Sequence, residues 1–428
     1  MSGRVYGPEL AWIDGVFQRE QSISIEGGEI IAIGRDAVTD PLPGIAMIPG
    51  FVSAHSHAFQ RALRGQGEVF PTGSDSFWGW REAMYGLVES LDRPQLHAAC
   101  VRAFREMRQA GITCVGEFHY LHHVDGDPFA ADEVVLEAAA EVGIRIVLLE
   151  TCYMCGGIDT PLSPAQAHFE TTDLAAFWSQ VDALRAAVDG CMQRVGIAAH
   201  SIRAVPPESL LTVASEAARR GLPLHLHLEE QRQEIDGCIE RYGMTPMALV
   251  CQEVTVSPML TAVHCTHTSA ADLEQWLDDG GNVCVCPLTE ANLGDGRCDL
   301  ARIVRHPGSL SIGTDSNARI GMLEEMRWLE YGQRLGREAR GIATDADGRM
   351  DRVLMDAATS GGARALGMSV GRIATGRLAD FALIDLADPQ VAGVADEDLA
   401  AALCCGGDNS VIAGTIVNGE SPVVRGAT

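Results

Sequence analysis

The sequence predicts an α/β chain: a (β/α)8 barrel over residues 49–367, with a small β-sandwich domain assembled from both ends, residues 1–48 and 368–428. Three observations predict it. Eight short apolar runs alternate with amphipathic stretches through the middle of the chain. Both ends read instead as short strands joined by glycine turns. Ten of the thirteen histidines fall at or just beyond the C-terminal ends of the eight runs, where barrels of this kind place their chemistry.

In chain order, QSISIEGGEIIAIG is two alternating runs joined by Gly27–Gly28, a hairpin signal. GIAMIPG reads as a buried strand leading through Pro49 and Gly50 into the first barrel run. The eight barrel strand candidates are IPGFVSAHS, ITCVGEFHY, IRIVLLETCY, RVGIAAHS, LPLHLHLEE, TAVHCTH, NVCVCPLTE and SLSIGTDS. Segments such as DLAAFWSQVDALRAAV and PESLLTVASEAARR between them have helical periodicity. After the barrel, RLADFALIDL and VIAGTIVNGESPVV return to strands, the second with an Asn–Gly turn. No G-x-G-x-x-G follows any strand, which sets aside an open doubly wound sheet.

A net charge of −26 argues against nucleic acid or an anionic membrane as partner, since both are polyanions. No run of 18 apolar residues and no basic-then-apolar leader occurs, so the cytoplasm is the expected location. Thirteen cysteines without a second C-x-x-C beside Cys152/Cys155 read as reduced, buried thiols rather than a zinc ribbon. The chain contains no lysine, and all 32 basic residues are arginine. That excludes a Walker lysine, a Schiff-base lysine and a metal pair bridged by a carbamylated lysine.

In FVSAHSHAFQRALRG, His55 and His57 sit one position apart at a strand end, so they share a face at roughly 6.5–7 Å. Any one such histidine is more often a satisfied rim residue than a ligand; ten together are not explained that way. His55 and His57, a histidine of HLHLEE (His225 or His227) and Asp315 of SIGTDS make a mixed nitrogen and oxygen set suited to zinc or iron. Water beside such a cation loses a proton near neutral pH and becomes a nucleophile.

PGFVSAHSH, HLHLEE, AVHCTH and GTDS resemble the amidohydrolase superfamily in its mononuclear deaminase branch. HSHAFQRALRG, DSFWGWREAMY, EFHYLHH, HSIRAV, EEQRQEIDGC, CPLTEANLGDG and EEMRWLEYGQRL are similar to the formimidoylglutamate deiminases of that branch, over about three quarters of the chain. The resemblance implies one divalent metal ion, zinc by preference with iron fitting the same donors, held by His55, His57, His227 and Asp315. Its H-x-x-E pattern implies Glu230 rather than Glu229 as proton donor, and leaves His225 structural. It also implies His264 as the catalytic histidine rather than His267, and Asp315 as the group that takes the proton of water.

The substrate implied is N-formimidoyl-L-glutamate, cleaved to N-formyl-L-glutamate and ammonia in histidine degradation. Gln60, Arg81, Tyr120, His200 and Arg203 match the family's substrate contacts, and two guanidiniums suit a dicarboxylate. The loop CYMCGGIDTPLSP and the NAR after Asp315 depart from the family pattern and bear on how the far end of the substrate is held. In PLTEANLGDG, Glu290 and Asn292 carry less weight. EEMRWLEYGQRL reads as a packing helix or a subunit contact, as in a homodimer. Two rivals remain: a deaminase of the same branch acting on a nucleobase or adenosyl compound, and a metal-binding scaffold without catalysis. The second has no use for Glu230, His264 and Asp315 together.

Overall fold

The computed structural model describes residues 3–66, 68 and 77–424. Eight parallel strands form the barrel in sequential order: Phe51–Ser56, Ile112–His119, Arg145–Cys152, Gln193–Ser201, Leu224–Leu228, Leu260–His264, Asn282–Val285 and Leu310–Ile312. Six lie within their sequence candidates, and the fourth and sixth begin one residue earlier, at Gln193 and Leu260. The seam between the last and first strands is closed beyond their ends. Ser56 and Asp315 form a parallel bridge, Thr314 N donates to His55 O at 2.9 Å, and His57 N donates to Asp315 O at 2.8 Å. Asn317 clamps the same seam, its Nδ2 donating to Ser56 Oγ, His57 O and Asp315 O. The NAR segment therefore serves closure here. Asn317 is fully buried against backbone, and Arg319 pairs with Glu324.

The outer helices follow the periodicity read from the sequence. Pro207–Arg220 buries Leu210, Val213, Ala214 and Ala217 on one face and stops at Gly221, whose φ of 66° suits glycine. Leu174–Ala187 starts on Asp173, whose carboxylate accepts from Ala176 N. Met322–Arg337 packs Leu323, Met326 and Leu329 inward, while Trp328 and Leu335 are exposed. No helix among the described residues is long and apolar enough to cross a membrane.

The first barrel strand is shorter than the run IPGFVSAHS suggests. Pro49 ends a different strand, Asp40–Pro49, and Phe51 begins the barrel. Gly50 makes the transfer because a Cβ there would lie 2.0 Å from Thr113 Oγ1. Asp40–Pro49 belongs to a second eight-stranded sheet that draws on both chain ends. Its hairpin pairs Ser22–Glu26 with Glu29–Gly34 across Gly27–Gly28, both at positive φ. Asn418 and Gly419 turn at positive φ beyond Ile412–Ile416. The strand Arg4–Ile13, at its centre, was not among the sequence candidates; only its C-terminal half is continuously buried.

The sandwich is a single hydrogen-bonded sheet bent back on itself. Ile30 N and Ala379 N bond across to Arg377 O and Gly28 O, and Tyr6, Ile23, Met47, Phe381 and Ile416 share one apolar cluster. A buried bidentate ion pair ties the barrel to this sheet: Arg145, opening the third barrel strand, holds Asp380 at 2.7 and 2.9 Å.

Candidate active site

Four buried side chains converge at the C-terminal mouth of the barrel. His55 Nε2 and His57 Nε2 each lie 3.4 Å from Asp315 Oδ1, and His227 Nε2 lies 3.2 Å from His55 Nε2. Ring nitrogens facing one another this closely suit a shared electrophile between their lone pairs. Two of the tautomers are set from behind. His57 Nδ1 faces Phe118 O at 2.8 Å and His227 Nδ1 faces His200 O at 3.0 Å, so Nδ1 carries the proton and Nε2 is left as donor atom. Burial, then the neighbouring rings, holds His57 down at about 3 and His227 well below the usual histidine range. Burial likewise lowers His55. Burial would raise Asp315, but His55, His264 and His57 outweigh it and keep the carboxylate ionised. Neutral imidazoles and an ionised carboxylate are the ligating forms, and the donor set fits a divalent metal ion.

His227 or His225 was left open by alternation alone. His225 lies deeper and meets Ala365 O at 2.9 Å, away from the cluster. Past Leu228 the strand ends, and Glu229 takes φ 55°, a left-handed conformation that breaks the alternation. Glu229 consequently turns outward, its Oε1 accepting from Met247 N at 3.0 Å, and Glu230 turns into the cavity. His264 and Asp315 also have positive φ, at 78° and 44°. Such backbone persists where surrounding contacts over-determine it.

His264 Nε2 lies 4.0 Å from Glu230 Oε1 and 3.8 Å from Asp315 Oδ2, so three titratable groups face one point. Glu290 stands behind His264. Its Oε1 is 3.3 Å from His264 Nδ1 and accepts from Cys286 N at 2.9 Å. Burial opposes a charge on His264, but Glu230, Glu290 and Asp315 carry it up to about 10. The sequence reading underweighted Glu290, because nothing in PLTEANLGDG alone shows that a helix starting at Pro287 aims it back at the sixth strand.

The cluster opens into a cavity of about 470 Å³. Gln60, Arg81, Tyr120, His200 and Arg203 all line it. Gln60 Nε2 donates to Tyr120 OH at 2.7 Å, which leaves the buried Gln60 Oε1 without a partner among the described residues. Arg81 sits on the helix Phe77–Ser90 and donates through Nε to Tyr85 OH. Asp75 and Ser76 of the DSFWGWREAMY motif lie outside the described residues. The divergent loop after the third strand contributes Tyr153, Gly156, Gly157, Ile158 and Thr160 to the wall.

Not every histidine at a strand end belongs here. His119 and His122 form a closed cluster with Asp132 and Glu150. His122 has both nitrogens engaged, by Asp132 at 2.9 Å and Thr151 O at 2.7 Å, and so offers no lone pair to an ion. His123 meets Glu170 O at 2.8 Å. The His267 ring lies beside Gly296, outside the cavity lining.

The profile of the Amidohydrolase family matches residues 46–421, which include the whole barrel. The chain belongs to the amidohydrolase family. It is 38% identical over 376 residues to the formimidoylglutamate deiminase of Pseudomonas aeruginosa, covering 86% of this chain and 83% of that one. It is 28% identical to the 8-oxoguanine deaminase of the same organism, over 89% of this chain and 83% of that one. An amidohydrolase crystal structure from Brucella melitensis superposes with a TM-score of 0.90 at 30% identity, over 99% and 95% of the two chains. As an amidohydrolase, the chain is a hydrolase. Its acidic and basic groups sit at the strand ends where the family's barrel carries chemistry.

Proposed function

We propose that this amidohydrolase deiminates N-formimidoyl-L-glutamate, releasing ammonia and N-formyl-L-glutamate, as a cytoplasmic step of histidine degradation. The observation that carries the reading is the pair Arg81 and Arg203 in the cavity that also holds the histidine–aspartate cluster. A substrate with an amidine carbon at one end and carboxylates at the other matches both ends of that space. Similarity to the Pseudomonas aeruginosa deiminase supports it.

One ion per chain, zinc by donor type with iron fitting the same set, would be held by His55, His57, His227 and Asp315. When bound, it supplies a water acidic enough to attack at neutral pH. Asp315 would take the proton of the water that adds to the amidine carbon. His264, held at Nδ1 by Glu290, presents Nε2 to the charge that develops there. Glu230 would protonate the imino nitrogen as the water adds, the proton held by Asp315 would then pass to the resulting amine, and the new hydroxyl would return its proton to Glu230 as ammonia leaves. Arg81 and Arg203 anchor the carboxylates, with Gln60, Tyr120 and His200 supplying neutral hydrogen bonds.

A second reading has its own support. Tyr85, Tyr120, Tyr153 and Phe169 line the same cavity and could stack a heterocycle, as a nucleobase or adenosyl deaminase requires. Ammonia release by the metal-loaded enzyme separates the two. Turnover of formimidoylglutamate with none of guanine or adenosyl compounds is expected, and the reverse preference would replace this reading with the second.

A further inference from the structure

Arg203 follows the fourth barrel strand, and its guanidinium is suspended between two carboxylates. Nη2 lies 3.6 Å from Glu230 Oε2, and Nε lies 3.8 Å from Glu234 Oε1. Neither is a hydrogen-bond distance, and Arg203 Nε has no hydrogen-bond partner among the described residues. Glu234, in the first turn of the helix Arg232–Tyr242, lines the cavity with a fully buried side chain. Both of its carboxylate oxygens also lack a hydrogen bond among the described residues. A buried carboxylate without hydrogen bonds persists only beside a cation, and Arg203 is the one that faces it. The other charged groups around it are Glu229 and Glu230 after the fifth strand and His264 at the end of the sixth. Glu229 and Glu230 repel its charge, whereas His264 favours it.

We propose that Glu234 is the exchangeable counter-ion of Arg203: a substrate carboxylate takes its place on the guanidinium, and Glu234 binds a proton from solvent as it is released. This rests on the dicarboxylate reading of the cavity. It removes a difficulty of that reading, namely that an anionic substrate must enter beside a buried glutamate. After the exchange the guanidinium again lies between two carboxylates, Glu230 and that of the substrate, and the neutral Glu234 carboxyl can donate a hydrogen bond to the newcomer. Burial already pushes Glu234 up to about 7, with Arg203 restraining the shift. Replacing that cation by a second anion moves it further the same way. Glu234 is thus a positioning residue that makes substrate binding proton-linked above neutrality.

The test is calorimetric binding of N-formyl-L-glutamate to the metal-loaded enzyme, in two buffers of different protonation enthalpy. At pH 8 the wild type should take up about one proton more than E234Q, and its Kd should weaken by about tenfold per pH unit above 7 while that of E234Q stays flat. R203M provides a second check that does not depend on E234Q folding. Without Arg203, Glu234 is already protonated in the free enzyme, so the uptake should vanish there too. Equal proton uptake by wild type and E234Q, or full uptake by R203M, overturns the proposal and leaves the substrate reading intact. A wild type that neither deiminates formimidoylglutamate nor binds its product overturns the substrate reading, and the proposal falls with it.

Discussion

Glu229 and Glu230 are neighbours in sequence and point to opposite sides of the fifth strand's end. Glu229 bonds the backbone of Met247, and Glu230 faces His264 and Arg203 inside the cavity. Glu230→Gln should retain metal and lose about 10²–10⁴-fold in kcat, the usual contribution of a general acid–base group. Glu229→Gln should leave kcat within a few-fold, since an amide oxygen can still accept from Met247. Steady-state ammonia release with parallel metal analysis checks both, and a crippled Glu229→Gln beside an active Glu230→Gln would reverse the assignment.

Metal content should be one equivalent per chain. The other buried histidine–aspartate group, His119, His122 and Asp132, has no free nitrogen on His122. Chelation should abolish activity, and one equivalent of zinc should restore it. The ion should also raise thermal stability, by about 4 kcal/mol when it is present at a thousand times its Kd. Elemental analysis and thermal unfolding with and without chelator test this; two tightly held ions would contradict it.

Arg81→Met and Arg203→Met should each lower kcat/KM for formimidoylglutamate by roughly ten- to a hundredfold, the equivalent of a charge-assisted contact worth about 1.5–3 kcal/mol. Neither belongs to the coordination cluster, so metal content should not change. Part of the loss should appear in kcat, because remote binding energy places the reacting carbon. A substrate analogue lacking one carboxylate should be handled alike by wild type and by the variant missing that carboxylate's partner. Undiminished activity after both substitutions would remove the dicarboxylate pocket.

Asp380→Ala should destabilise the protein by about 3–5 kcal/mol, since it strands the fully buried Arg145 guanidinium and also withdraws the acceptor from Asn418 N. Replacing both partners, Arg145→Met with Asp380→Ala, should cost less than Asp380→Ala alone. Denaturant unfolding of the three variants checks the ordering.

The barrel was legible because its signals are local. Eight apolar runs and their helices repeat at distinct periods, and each strand lies where its run does. The strand Arg4–Ile13 escaped because Gly7, Pro8 and Glu9 interrupt its pattern, while its pairing with distant Asp40–Pro49 supplies what propensity does not. At the site, His55 and His57 were readable from strand alternation. Glu230 was not, because alternation points to Glu229, and only the left-handed turn at Glu229 exchanges them. Glu234 was not legible as a site residue, and Glu290 carried little weight, for another reason. Each sits on a helix whose approach to Arg203 or His264 is settled by packing across the barrel mouth.

The seam at Asn317 has a consequence for how the protein comes to be active. His57 and Asp315 flank it, and the bond from Asn317 to His57 O spans 260 positions of chain. A contact of that separation forms late, after the loop-closure entropy of everything between has been overcome. An emerging polypeptide with only its first seven barrel strands folded therefore presents imidazoles without their carboxylate. An ion held by the proposed set of His55, His57, His227 and Asp315 would gain its carboxylate only as the ring closes.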